Sequence, residues 1–139
     1  MIIVGENLKA LIEQHNITSD KKLFDETSLS LSMDREIILY DPSGECEITY
    51  GNAIPDDWVK TVRMPDEGFV LPSKSCILSC SREKIVMPMG YFGLLQTKGT
   101  LARLFVSITS CDGQIEAGFS GKVTFEITNM SNLNIRLLP

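Results

Sequence analysis

Near the N-terminus the apolar positions make one stripe. Leu8, Leu11 and Ile12 recur at the i, i+3, i+4 spacing of a helix face, so residues 5–15 are expected to form a short amphipathic helix. His15, at its end, suits a surface or capping role at a helix C-terminus. From residue 27 the period changes to two. Leu29, Leu31 and Met33 alternate with Ser28, Ser30 and Ser32, as in a half-buried strand. Residues 36–40 (EIILY) are rich in β-formers, 41–44 (DPSG) reads as a turn and 46–50 as a second strand, so this stretch predicts a hairpin. Further strands are expected at 58–63, 69–71, 75–82, 85–87, 92–96, 104–109, 122–128 and 134–138, with polar connections at 16–25 and 52–57. Strands this short and closely spaced, punctuated by Gly and Pro, predict an all-β fold, a sandwich or barrel-like jelly roll.

No repeat, low-complexity tract or linker interrupts the pattern, so the 139 residues are read as one domain, 1–139, long enough to bury a core without disulfide staples. Thirteen basic against eighteen acidic side chains give a net charge of −5 with no Lys/Arg run, which argues against grasping nucleic-acid backbone. No apolar run reaches the roughly 20 residues a membrane helix needs. The most apolar stretch, 85–95, is broken by Pro88, Gly90 and Gly93. The N-terminus lacks a basic segment followed by an apolar core, so no signal peptide is expected and a cytoplasmic location is. There the four cysteines, Cys46, Cys76, Cys80 and Cys111, are expected as reduced thiols. Cys76 and Cys80 share one face of a strand, where free cysteines are commonly buried, and read as thiols without metal. A single histidine and the absence of His-x-Glu and Cys-x-x-Cys exclude the zinc-deaminase signature.

Three segments can carry chemistry. In TKGTLAR (97–103), Gly99 permits a tight path and Thr100 and Arg103 lie one helical turn apart; this is an anion site or a capped surface turn. In QIEAGFSG (114–121), Gly118 and Gly121 flank Phe119, which either stacks on a sugar ring or fills the core. In KVTFEIT (122–128), Val123, Phe125 and Ile127 share one face and Lys122, Thr124, Glu126 and Thr128 the other. Glu126 is therefore a solvated outer residue or a carboxylate lining a pocket.

Taken in order, EGFVLPSKSCILSCSREKIVMP, GYFGLLQTKGTLAR, IEAGFSGKVTFEITN and NIRLLP resemble the dCTP deaminase branch of the deoxyuridine triphosphatase superfamily, over residues 67–138. That family shows a Gly-Phe-x-Leu strand, an Arg-Ser-Ser-Leu-Ala-Arg phosphate segment, an Ile-Asp-Pro-Gly-aromatic-x-Gly turn and a Glu five residues after its last Gly. The resemblance implies a distorted jelly-roll or β-sandwich of the dUTPase type with a short N-terminal helix. It implies that Arg103 is the catalytic-site arginine and Glu126 the general base. Phe119 matches the aromatic that packs on deoxyribose, and Thr100 a phosphate-binding serine. Lys98 keeps the charge of an arginine but loses its fork. Departures are Gly99 where the deaminases have a catalytic-site serine, Glu116 and Ala117 for Asp-Pro, and Ser30 where the first motif usually has Asp. The chain ends at Pro139, where the family continues with a further strand and a tail that closes over the nucleotide.

The implied chemistry is zinc-free deamination of dCTP to dUTP, accompanied or not by diphosphate removal. Glu126 activates water for attack on C4 of cytosine, Arg103 steadies the tetrahedral centre, and Lys98, Gly99 and Thr100 hold the triphosphate as its Mg²⁺ complex. A homotrimer with sites at subunit boundaries is implied, with no nucleic acid or membrane as partner. Two other readings stand beside it: a triphosphatase in which Glu116 serves the water, and a non-catalytic nucleotide-binding or regulatory trimer.

Overall fold

Alternating side chains along the two longest strands organise the molecule. The computed structural model describes residues 1–20, 23–44 and 46–139. Residues 21 and 22 of the predicted 16–25 connection, and residue 45 between the predicted turn and strand, lie outside them. The helix forms as expected, as α1 (Gly5–His15), and ends at Asn16 in the left-handed conformation (φ 50°). His15 is its last residue and lies 5.9 Å, ring to ring, from Tyr91.

The strands follow as β1 (Glu36–Tyr40), β2 (Val59–Arg63), β3 (Phe69–Leu71), β4 (Cys76–Val86), β5 (Gly93–Leu94), β6 (Val106–Ser107), β7 (Gln114–Ile115), β8 (Ser120–Asn129) and β9 (Ile135–Leu137), with a short helix α2 (Gly99–Ala102) between β5 and β6. One antiparallel sheet has the order β2-β1-β4-β8-β6, and two smaller ones pair β3 with β9 and β5 with β7. On β8 the odd-numbered Val123, Phe125 and Ile127 are buried and the even-numbered Lys122 and Thr124 face outward. The buried face packs with Leu71 of β3, Ile135 and Leu137 of β9, Ile37 of β1 and Ile12 of α1 into one core. The all-β expectation holds.

Two predicted strands fuse. Residues 75–82 and 85–87 run as the single β4, whose register against β8 shifts between Cys80 and Lys84. The buried Ser81 sits at this bulge and its hydroxyl accepts the Val123 N–H at 2.8 Å, a ladder donor that the shift frees. Residues 32–34 dock beside it: Arg82 N–H donates to the Ser32 carbonyl and Asp34 N–H to the Cys80 carbonyl, both at 2.8 Å. The period-2 signal at 29–33 thus marks a bridging segment rather than a full strand. Lys122 donates to the Asp34 carboxylate across this junction; the bond holds Asp34 below its ordinary 3.8 and Lys122 above its ordinary 10.5.

The predicted hairpin is corrected. Residues 46–50 form no strand, and Ile48 and Tyr50 are exposed. A strand has two edges, and both edges of β1 are taken. Five residues pair with β2, from Glu36 opposite Arg63 to Tyr40 opposite Val59, and Ile38 pairs with Leu78 of β4. The Cys76/Cys80 expectation is corrected in one respect. Both thiols are free and point from the outward face of β4, but Cys76 is exposed and Cys80 half-buried, because that face is open.

Gly68 joins the last pair to the core. Its φ is +91°, and a Cβ there would lie 2.3 Å from the Leu137 carbonyl oxygen. Gly68→Ala is therefore expected to cost roughly 2–4 kcal/mol, read as a lower urea midpoint. An unchanged midpoint would show that β9 yields freely at this contact.

Candidate active site

The site is built on the outward face of β8, where Glu126 stands opposite Leu78 of β4. A chain segment leaving β6 runs beside it, with Thr109 bridged in parallel to Glu126. The turn that follows aims two backbone donors at one carboxylate oxygen. Cys111 N–H donates to Glu126 Oε2 at 2.7 Å and Asp112 N–H at 3.1 Å. The turn is shaped locally, since the Asp112 carboxylate in turn accepts the Gln114 N–H at 3.0 Å. Glu126 is half-buried and its Oε1 takes no part in these bonds.

Glu126 borders a recess of about 320 Å³. Its apolar side is Leu95, Ile115, Phe119 and Val123; its polar side is Asp112, Gln114, Glu116, Thr124 and Glu126. Phe119 is set by a tight turn in which its N–H donates to the Glu116 carbonyl at 3.1 Å, with Gly118 at φ +82°. Met87, just past β4, pins that turn through bonds to the Gly118 N–H and the Phe119 carbonyl, at 3.0 and 2.8 Å. The ring lies over Gly121 of β8, where a Cβ would make ordinary contact with Phe119 Cζ at 3.4 Å. Phe119 is half-buried, packs against the core and also lines the recess.

The recess gathers Glu116, Phe119 and Glu126 of the predicted residues. It does not gather Lys98, Gly99, Thr100 or Arg103. These lie on or beside α2, all exposed, while Leu101 anchors the turn on the core. Thr97 ties the segment down by accepting the Ile108 N–H at 3.0 Å. A serine side chain at Gly99 would meet open space, since nothing approaches its Cβ position within 4 Å. Ser30 turns toward Asp25, 3.3 Å from hydroxyl to carboxylate.

Sequence reasoning missed Asp112, Gln114, Thr124 and the N–H groups of Cys111 and Asp112. The turn-forming run SCDG at 110–113 was the available signal. A larger, mostly apolar cavity, about 730 Å³, opens between α1 and residues 90–98; Ser30 and Lys98 border it, and none of the three recess carboxylates does. Among the described residues no group of three or more His, Cys, Asp or Glu is placed to hold a metal ion, and no helix is long and apolar enough to cross a membrane.

A family model described as dCTP deaminase-like matches residues 2–139. The chain belongs to the dCTP deaminase-like family. This dCTP deaminase-like chain is 33% identical over 121 residues to a dCTP deaminase, dUMP-forming, of Kocuria rhizophila, covering 87% of this chain and 63% of that protein. It is 34% identical over 121 residues to the Corynebacterium glutamicum protein of the same name, covering 86% and 64%. The Thermobifida fusca protein, also so named, aligns over 144 residues at 28% identity, covering 100% of this chain and 72% of the relative. The chain thus spans a little under two thirds of the length of the first two relatives. In three dimensions it is similar to the crystal structure of 2'-deoxycytidine 5'-triphosphate deaminase from Agrobacterium tumefaciens. The TM-score is 0.63 at 17% identity, over 92% of this chain and 41% of that one, a likeness of fold. That fold is the dUTPase-like all-β architecture with a short N-terminal helix that the motifs implied.

Proposed function

We propose that this chain deaminates dCTP and carries the product on to dUMP. The observation that carries the reading is the Glu126 carboxylate, fixed at the edge of the recess through Oε2 with Oε1 uncommitted. In this reading the cytosine enters the recess with the deoxyribose against Phe119. Glu126 takes a proton from water, and the resulting hydroxide adds to C4. Glu126 passes that proton to N3, then takes the proton of the new C4 hydroxyl and gives it to the amine, and ammonia leaves as the C4 carbonyl forms. Removal of diphosphate by a second water then gives dUMP, the product that the names of the relatives specify. In this reading Mg²⁺ arrives on the triphosphate and screens its charge.

Arg103, Thr100 and Lys98 lie outside the recess of their own chain. In this reading a second copy brings them to the nucleotide, in an assembly with sites at subunit boundaries, as in a homotrimer. The outward face that bears Glu126 also leaves Tyr40 and Val59 exposed, apolar surface for a second copy to cover. Gly99 favours one other reading: without a hydroxyl there, the protein binds a deoxynucleotide and does not turn it over.

Incubation with dCTP and Mg²⁺ is expected to release ammonia and diphosphate in equal amounts. Ammonia alone would make dUTP the product. Diphosphate from dUTP, with no ammonia from dCTP, would leave a triphosphatase using Glu116. Neither would leave the binding reading. Arg103→Ala and Glu126→Gln chains, each inactive, are expected to regain about a quarter of wild-type turnover when refolded together, the chance that a shared site draws the right chain on each side. No recovery would confine the site to one chain.

A further inference from the structure

Residues 108–112 wrap around a single side chain of β8. Glu126 N–H donates to the Ile108 carbonyl at 3.0 Å, and the Glu126 carbonyl accepts the Ser110 hydroxyl at 3.0 Å. Farther along, Cys111 and Asp112 hold Oε2 through their N–H groups. The Ser110 and Thr128 hydroxyls share a 2.6 Å hydrogen bond. Thr128 is itself fixed from both sides, opposite Cys76 of β4 and Ser107 of β6. The Asp112 carboxylate is turned to Gln114, so Ser110 is the one residue of 110–112 whose side chain bonds to β8 among the described residues.

We propose that Ser110 and Thr128 are positioning residues for Glu126. Their hydroxyl pair docks the 110–112 turn onto β8, so that two N–H groups grip Oε2 and Oε1 is left to the recess. This rests on the reading of Glu126 as the base. The physical need is plain. A half-exposed glutamate samples several rotamers, whereas a base works only when held within a fraction of an ångström of its water. Backbone donors can hold it only if the turn that carries them is held too, and that turn is exposed and short. The hydroxyl pair supplies the anchor from a strand with partners on both sides.

The test is steady-state kinetics on dCTP together with amide hydrogen exchange by NMR, on the wild-type chain, Ser110→Ala, Ser110→Thr, Thr128→Ala and the Ser110→Ala/Thr128→Ala double variant. Each alanine variant is expected to lower kcat about tenfold with KM within about twofold, a loss of positioning and not of binding. The double variant is expected to be no worse than Ser110→Ala, because the Thr128 hydroxyl acts through that of Ser110. Ser110→Thr, which keeps the hydroxyl, is expected to retain kcat within about twofold. In Ser110→Ala the Cys111 and Asp112 amides are expected to exchange about tenfold faster. An unchanged kcat in Ser110→Ala, a change confined to KM, or unmoved amides would overturn the proposal. A wild-type chain that releases no ammonia would end the deaminase reading, and the two amides would then decide the anchor: faster exchange in Ser110→Ala upholds it, unchanged protection sinks it.

Discussion

Glu126→Gln is expected to stop ammonia release from dCTP, with turnover falling roughly 10²–10⁴-fold, while nucleotide affinity stays within a few-fold. The amide is nearly isosteric, and its carbonyl oxygen can still accept the N–H groups of Cys111 and Asp112 that hold Oε2 in the native chain. That orientation puts an NH₂ where Oε1 stood, and an amide cannot take the proton of the water there. Binding depends on the recess walls, which the substitution leaves in place. Ammonia assay and calorimetric titration with dCTP separate the two effects. Full turnover in the variant would move the base to Asp112 or Glu116, the other carboxylates of the recess.

Asn129→Ala is expected to be the most destabilising single change among the polar residues of the core, costing about 3–5 kcal/mol and lowering the melting temperature by roughly 10 °C. Asn129 is fully buried at the end of β8. Its amide donates to the carbonyls of Leu71, Pro72 and Leu133 at 3.2, 2.9 and 2.7 Å. Its oxygen accepts the Ser131 N–H at 3.0 Å and the Ser131 hydroxyl at 2.7 Å. One side chain therefore ties the end of β3 to the turn that leads into β9. Alanine strands several of these groups away from water, and each stranded group carries its own desolvation penalty. Thermal and urea unfolding check the value; a loss under about 1 kcal/mol would mean that water fills the gap and takes over the bonds.

Periodicity alone located β8 and the division of its faces, because alternation over Lys122 to Thr128 reflects a strand buried on one side. It located β1 to the residue. It failed at 46–50, where β-formers are present but no free strand edge is, a matter of pairing that no local pattern reports. It also split β4, because Glu83 and Lys84 interrupt the apolar run at a bulge. In the site, Phe119 and Glu126 were legible through the glycines before them and the motif order. The clamp on Glu126 was not, because backbone N–H groups carry no residue-type signal: Cys111 and Asp112 matter there through atoms every non-proline residue has. The position of Arg103 outside the recess was equally hidden, since motif order along a chain does not say which motifs meet in space.

Pairing between distant strands sets when the molecule can fold during synthesis. β4 waits for β8 along most of its length, and β3 waits for β9, so α1 and the β1–β2 and β5–β7 pairs can form earlier. A nascent chain on the ribosome holds one edge of its longest strand unpaired until residues 120–129 emerge, and that is the interval in which a chaperone has something to grip. Glu126 lies on the late strand. The carboxylate and the sheet that seats it therefore arrive together, and an unfinished chain displays neither the recess nor its base.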